Sequence, residues 1–253
     1  MTAVTLNAGQ VIMEIYKRNP EARLKDDRTP VTEADTAAET LILRELAKIC
    51  PDIPIVSEEA AAEGKIPEVA DLFFLVDPLD GTREFLSRNG EFTVNIGLIS
   101  EGQAVAGIIY TPASGRLFRG QVGAGAEQAE LQPFAAVSEG RWSPIAVREA
   151  EAGNLVAVAS RSHRDERTNA YLEEHGVQET ISAGSSLKFC LLAAGEADLY
   201  PRMGRTMEWD TAAGQAILAA AGGSVVTEDG APLTYGKKER GFDNPHFIAR
   251  AWA

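Results

Sequence analysis

Residues 72–82, with the sequence LFFLVDPLDGT, constrain this chain more than any other segment. An apolar run of this length followed by a proline is typical of a buried strand. The end of the strand would place Asp77 and Asp80 side by side against an apolar wall. Because two such charges repel each other and are costly to bury, we expect a cation between them, and oxygen ligands favour Mg²⁺. Taken alone, the segment favours a simpler explanation, an Asp-Pro turn in which Asp80 caps a helix, and only the rest of the chain overturns it.

The residues around Asp80 also suit a phosphate group. Pro78 fixes φ and turns the chain, which can aim the Leu79 carbonyl inward as a further oxygen ligand. Gly81 allows the backbone to approach a ligand closely. If a helix begins at Thr82, its free N–H groups form an anion site. The Thr82 hydroxyl would then hold a water beside the cations.

Acidic residues recur at three other places where apolar or turn elements end or begin. Asp35 follows a predicted helix start, with Thr32 as its N-cap, and Glu58 and Glu59 follow a short apolar strand. Asp210 lies in the segment WDTAAG, which opens an Ala-rich helix. Each has a simple explanation, because Asp210 suits an N-cap and the two glutamates suit a solvated strand end. A shared metal site accounts for all of these acids at once.

A second cluster of polar and basic residues lies in the C-terminal part of the chain. Ser185 and Lys188 belong to the segment AGSSLK, which opens a helix; the simpler explanation is an ordinary helix start capped by a serine. Lys188 would lie in the first turn, where the helix dipole disfavours a cation, so an anion there accounts for it better. Arg202 can reach the same anion through its guanidinium. His163 follows a predicted strand and, as a lone histidine, is more often a surface residue.

Bulk properties exclude several function classes. The chain has 253 residues, a net charge of -13, 45% hydrophobic and 24% charged residues, which is ordinary globular composition. The acidic balance argues against nucleic acid or an anionic membrane as the main partner, and there is no integral membrane segment. With no evident signal peptide and only two distant cysteines, Cys50 and Cys190, we expect reduced thiols in a cytoplasmic protein. Peripheral membrane association stays open.

The order of elements predicts two halves. Residues 1–140 should form an α+β half, with helices at 3–18 and 32–50 and a meander over 92–119. Residues 141–253 should form a smaller α/β half, with helices at 164–175, 185–194 and 211–221. Weak periodicity over residues 121–143 indicates a domain boundary or an irregular connection between the halves.

With these residues assembled, the chain resembles the Mg²⁺-dependent, lithium-sensitive phosphatases of the inositol monophosphatase superfamily. The matching segments occur in the family's order at residues 31–35, 57–59, 77–82 and 209–214. Within the superfamily the chain is most similar to the bacterial CysQ type of 3′(2′),5′-bisphosphate nucleotidase. That finer resemblance rests on residues 80–85, 184–190 and 197–202, the last leading to 208–210. Residues 205–208 lie in a variable segment and receive no role.

The resemblance implies a layered αβαβα sandwich with the site between its halves, and a role for each matching residue. One Mg²⁺ would be held by Glu58, Asp77 and the Leu79 carbonyl, and a second by Asp77, Asp80 and Asp210. The resemblance also permits a contact between Glu58 and a third, more weakly bound ion. Glu59 is the neighbouring family glutamate, and the resemblance supports it less strongly as a ligand. Asp35 and Thr82 would activate the attacking water, and the Gly81 and Thr82 amides would hold the scissile phosphate. Nucleotide contacts would come from His163, Ser185, Lys188, Arg202 and Asp210.

The implied reaction is hydrolysis of 3′-phosphoadenosine 5′-phosphate to AMP and phosphate, with a nucleotide as the small-molecule partner and a homodimer left open. A first alternative is an inositol or sugar-phosphate phosphatase of the same superfamily. A second is a sensor that binds the nucleotide without hydrolysing it, although a pure binder needs no water activator. A generic α/β scaffold would require every simple explanation above to hold together.

Overall fold

The structure is a computed structural model, and it describes residues 1–18, 22–24, 30–151, 153–160 and 165–252. The described α-helices are α1 Thr2–Tyr16, α2 Glu33–Ile49, α3 Glu58–Ala62, α4 Thr82–Leu86, α5 Glu166–Glu174, α6 Leu187–Ala193 and α7 Glu208–Ala220. Short 3₁₀ turns lie at Val137–Glu139 and Lys238–Arg240. None of the helices in these described ranges is long and apolar enough to cross a bilayer.

A seven-stranded sheet forms the larger part of the molecule. Its strands, in spatial and chain order alike, are β3 Ile55–Ser57, β4 Leu72–Asp80, β5 Thr93–Ser100, β6 Gln103–Thr111, β7 Arg116–Gln121, β8 Gly125–Glu130 and β9 Ser143–Ile145. All neighbours are antiparallel except β3 and β4, which are parallel. A separate antiparallel pair is formed by β1 Ala22–Leu24 and β2 Pro30–Thr32.

A five-stranded sheet forms the second half. Its strands are β10 Val156–Ser160, β11 Glu179–Ala183, β12 Leu199–Arg202, β13 Ser224–Thr227 and β14 Phe247–Arg250, in the spatial order β11-β10-β12-β14-β13. Strands β10, β11 and β12 are parallel, and β14 runs antiparallel to both of its neighbours.

Helices and sheets alternate in layers. Helices α1 and α2 pack on one face of the seven-stranded sheet, where Ile12 and Ile42 are fully buried. Helices α6 and α7 lie between the two sheets, in a core that includes Phe189 and Ile217. Helix α5 covers the outer face of the five-stranded sheet through Leu172. The predicted αβαβα sandwich is therefore confirmed.

Three glycines set the distance between α7 and the larger sheet. Gly97, Gly107 and Gly120 are direct cross-strand partners on β5, β6 and β7. A Cβ atom on Gly107 would lie 2.2 Å from the Ala213 carbonyl oxygen, and one on Gly97 would lie 2.8 Å from the Ala212 Cβ. The WDTAAG segment thus presents small residues where helix and strand backbones approach most closely. This close packing fixes the N-terminal end of α7, which carries Asp210.

Residues 121–143 are more regular than the sequence pattern predicts. Residues 125–130 and 143–145 form β8 and β9, so the expected irregular segment over 121–143 is wrong for these strands. The pattern is weak because β8, Gly125–Glu130, contains only small and polar residues and no large apolar side chain. The first sheet ends at Ile145 and the second begins at Val156. The division at residues 140/141 stays a prediction.

Candidate active site

A cleft of about 250 Å³ brings most of the predicted site residues together. It opens where the end of β4 meets the starts of α6 and α7. Its lining includes these predicted residues: Glu58, Asp77, Leu79, Asp80, Gly81, Thr82, Ser185, Lys188, Arg202 and Asp210. The predicted contact His163 lies outside the described residues.

Asp35 does not line the cleft, but it contacts Thr82, which does. Thr32 is the N-cap of α2, as predicted, and Asp35 completes a capping box by accepting from the Thr32 amide at 2.8 Å and from its hydroxyl at 2.7 Å. The second Asp35 oxygen, Oδ1, accepts from Thr82 Oγ1 at 3.0 Å. With its proton directed at Asp35, the Thr82 oxygen keeps its lone pairs available to accept from a water.

An irregularity in β4 separates Asp77 from Asp80. The strand pairs in register with β5 up to Asp77 opposite Asn95, and pairing then resumes with Asp80 opposite Thr93. Strand β4 therefore has one extra residue between these pairs, and this bulge re-aims the side chains that follow. Asp77 is buried, and its Oδ1 accepts from the Leu79 amide at 3.0 Å.

Asp80 is held by residues from distant parts of the chain. Its Oδ2 accepts from the Ser186 amide at 2.6 Å and the Ser186 hydroxyl at 2.7 Å, and from Asn95 Nδ2 at 3.2 Å. Ser186 and Asn95 are positioning residues that the sequence argument missed. The available signals were the second serine of AGSSLK and a polar residue inside the apolar run TVNIGLI.

Gly81 occupies a position that only glycine suits. Its φ is +93°, and a Cβ there would lie 2.2 Å from Ser185 Oγ. The Ser185 hydroxyl lies 2.8 Å from both the Asp80 and the Glu91 carbonyl oxygens. Ser185 therefore links the backbone at Asp80 to the backbone at Glu91. The nucleotide contact predicted for Ser185 stays a prediction.

Asp210 is at the third position of α7 and is not the N-cap. Met207 occupies the N-cap position, and Asp210 Oδ2 accepts from the Met207 amide at 2.8 Å. Burial, and then the nearby charges of Asp80 and Glu58, raise the pKa of Asp210 to about 8. A bound cation would stabilise the ionised form of this carboxyl and so offset the effect of burial and of the neighbouring charges.

The donor set fits a hard divalent ion by its chemistry. The predicted ligand carboxylates Glu58, Asp77, Asp80 and Asp210 come from three separate elements, with no histidine or cysteine among the described lining residues. Oxygen donors of this kind match Mg²⁺. Within the described ranges, however, no group of three or more His, Cys, Asp or Glu side chains is ready to hold an ion as it stands.

Two basic residues line the same cleft as the carboxylates. Lys188 is only 4% exposed, and its Nζ donates to the Ser185 carbonyl at 2.6 Å. Burial lowers the pKa of Lys188 to about 8, although the charge of Asp80 partly opposes that shift. Arg202 donates from Nη2 to the Arg205 carbonyl at 3.1 Å, while its buried Nε has no hydrogen-bond partner among the described residues. Both side chains can therefore serve a negatively charged ligand.

The model of the Inositol monophosphatase family matches residues 1–251. The chain belongs to the inositol monophosphatase family. Enzymes of this family depend on metal ions, which agrees with the carboxylate-lined cleft.

Relatives in this family include bacterial proteins named 3′(2′),5′-bisphosphate nucleotidase CysQ. The protein of Salmonella typhimurium is 44% identical and that of Escherichia coli K12 is 43% identical, each over 244 residues that cover 95% of this chain and 94% of the relative. Among solved structures, CysQ from Bacteroides thetaiotaomicron has a TM-score of 0.82 at 37% identity, with 99% of this chain and 95% of that chain covered. An inositol monophosphatase from Anabaena has a TM-score of 0.75 at 26% identity, with 99% and 88% covered.

Proposed function

We propose that this protein is a Mg²⁺-dependent 3′(2′),5′-bisphosphate nucleotidase that hydrolyses 3′-phosphoadenosine 5′-phosphate to AMP and phosphate. The observation that carries the proposal is that one cleft contains two kinds of charged group. Its lining includes the carboxylates and Thr82, which donates to Asp35, together with buried Lys188 and Arg202. A substrate with two phosphates suits such a cleft, because one phosphate can meet the carboxylate-bound ions and the other the basic residues. The named relatives, about 43% identical over nearly their whole length, support the same substrate class.

The metal ligands in this proposal are the residues that line the carboxylate side. Glu58, Asp77 and the Leu79 carbonyl would hold one Mg²⁺, and Asp77, Asp80 and Asp210 a second, with a third at Glu58 as an option. When bound, the ions would lower the pKa of a water and offset charge on the phosphoryl group.

The chain's own residues orient the water and the phosphate. Because Thr82 donates its proton to Asp35, its oxygen can accept a hydrogen bond from the attacking water, and Asp35 provides the basic end of this relay. The backbone amides of Gly81 and Thr82 would hold the scissile 3′-phosphate. Gly81 is required there because its φ is positive and Ser185 packs against it.

The second phosphate supplies binding energy away from the reacting bond. Lys188 and Arg202 would hold the 5′-phosphate, with Ser185, His163 and Asp210 completing the nucleotide contacts. Such remote contacts raise the rate when they position the reacting group. The cytoplasm is the compartment we propose, since Cys50 and Cys190 are free thiols.

Phosphate release from four compounds in parallel tests the substrate. These are 3′-phosphoadenosine 5′-phosphate, its 5′-phosphosulfate analogue, inositol 1-phosphate and fructose 1,6-bisphosphate, each with Mg²⁺ and with added Li⁺. We expect the highest kcat/KM for the bisphosphate nucleotide. A higher value for inositol 1-phosphate would favour the second candidate, an inositol monophosphatase, which shares the carboxylate side of the cleft. Binding of the bisphosphate with no release from any compound would indicate a sensor.

A further inference from the structure

Glu39 is a buried carboxylate that the proposed mechanism does not use. It lies on α2 one turn after Asp35 and is 9% exposed. Residues four apart share a helix face, so Glu39 points to the same side of α2 as the water-activating carboxylate. Burying a glutamate there is costly unless its charge is matched by donors.

The side-chain hydrogen bonds of Glu39 go to the start of α3. A single oxygen, Oε1, accepts from the Ser57 hydroxyl and from the amides of Glu59 and Ala60, each at 3.1 Å. Ser57 is the N-cap residue of α3, but its side chain makes no capping hydrogen bond. Glu39 therefore replaces the missing cap from a different helix.

The first residue of the helix that Glu39 caps is Glu58, which lines the cleft beside Asp210. The backbone of Glu58 thus lies between the Ser57 hydroxyl and the Glu59 amide, both of which Glu39 holds. One face of α2 therefore holds two separate parts of the site. Asp35 holds Thr82, and Glu39 holds the turn that carries Glu58.

We propose that Glu39 is a positioning residue that sets the place of Glu58, and through it the affinity of the site for a divalent ion. The inference rests on the proposed role of Glu58 as a metal ligand. Hydrogen-bond partners that orient metal ligands typically change affinity by about 10- to 100-fold when they are removed. The acceptor oxygen, and not the charge of Glu39 itself, is the feature that matters.

Two substitutions separate these contributions. Glu39→Leu removes the acceptor and keeps much of the volume, and Glu39→Gln keeps an oxygen that can receive the same three donors. Glu45→Leu is the matched control, because Glu45 is on the same helix and pairs with Arg44 and Lys48 on the surface. Ser57→Ala removes one donor only, and it provides a second measure if Glu39→Leu does not fold.

The test measures Mn²⁺ binding to the metal-free protein by calorimetry, together with the Mg²⁺ concentration that gives half-maximal hydrolysis. We expect E39L to weaken Mn²⁺ binding at least tenfold, E39Q and E45L to stay within threefold of the parent protein, and S57A to show a smaller loss. Unchanged binding in folded E39L, unchanged binding in S57A, or an equal loss in E39Q would overturn the role of Glu39. A parent protein that binds no Mn²⁺ would contradict the proposed metal-dependent function. A parent that binds Mn²⁺ as tightly as E39L does would contradict only the role of Glu39, so the two failures are distinguishable.

Discussion

Thr82 Oγ1 donates to Asp35 Oδ1 at 3.0 Å, although the two residues are 47 positions apart in the chain. The other Asp35 oxygen is occupied by the amide and hydroxyl of Thr32. The carboxylate is therefore fixed on both sides, which directs the Thr82 proton away from the cleft and its lone pairs towards it. This polarity is what a water activator requires.

Replacing Asp35 by Asn should lower kcat by about two to four orders of magnitude, with KM changed only a few-fold. The amide still accepts hydrogen bonds, so α2 stays capped and the unfolding free energy should fall by only about 1 kcal/mol. Steady-state kinetics with saturating Mg²⁺ and urea denaturation measure the two effects. Thr82→Ser keeps the hydroxyl and serves as the active control. A kcat within threefold of the parent for Asp35→Asn would remove the pair from the mechanism.

Replacing Lys188 by Ala should affect substrates unequally. Without the ammonium group, kcat/KM for 3′-phosphoadenosine 5′-phosphate should fall by about 10- to 100-fold, and the value for adenosine 3′-phosphate much less. Lys65→Ala is the control, because Lys65 is an exposed lysine paired with Glu63. Equal losses on both substrates would place Lys188 outside the nucleotide site.

The ratio of these two kcat/KM values should also depend on pH. Burial lowers the pKa of Lys188 to about 8, so the amine loses its charge as the pH rises through that value. Preference for the bisphosphate should therefore decline above about pH 8. The Lys188→Arg variant keeps its charge and should show a flat ratio, while a ratio for the parent protein that holds steady to pH 10 would argue against a charged Lys188.

The same titration has a consequence for stability. The pKa of Lys188 is lower in the folded chain than its ordinary value of 10.5. Between about pH 8 and 10.5 the unfolded chain binds more protons at this residue, so its contribution to the unfolding free energy rises with pH in that window. Urea denaturation of the parent and of Lys188→Met across this range measures the difference in slope, and identical slopes would contradict it.

Replacing Gly107 by Ala should destabilise the fold by about 3 kcal/mol, since the added Cβ meets the Ala213 carbonyl at 2.2 Å and neither backbone can move freely. Activity should fall too, because α7 carries Asp210. Gly230→Ala is the control: its φ is +84°, but a Cβ there meets nothing within 4 Å, so about 1 kcal/mol is expected. Urea denaturation compares the two, and a smaller loss for Gly107→Ala would show that the helix can shift.

Local patterns predicted most of the elements in this fold. The apolar run before Asp77 predicts β4, and the Thr32 cap predicts the start of α2. Strand β11 was not predicted, because Glu179–Ala183 is a short edge strand with mostly exposed residues. Helix α7 begins three residues before the predicted Thr211, since its N-cap Met207 carries no capping side chain.

The site residues likewise divide into those that local motifs predict and those that they do not. Residues Asp35, Asp80 and Asp210 were found because each lies in a short motif whose chemistry is visible locally. Ser186 and Glu39 were missed because their partners are far away in the chain: Ser186 reaches Asp80 across 106 positions, and Glu39 reaches Glu59 across 20. Residues that position others are defined by tertiary contacts, which a single sequence does not display.

The most direct test of the account compares the parent protein with Asp80→Asn on 3′-phosphoadenosine 5′-phosphate in Mg²⁺, with the product nucleotide identified by chromatography. Asn at this position can still accept from Ser186, so the variant should fold, but it removes one carboxylate charge from the cleft. We expect AMP and phosphate from the parent and no turnover from the folded variant. Near-normal turnover by Asp80→Asn, or adenosine 3′-phosphate as the product of the parent, would contradict the proposed metal-dependent removal of the 3′-phosphate.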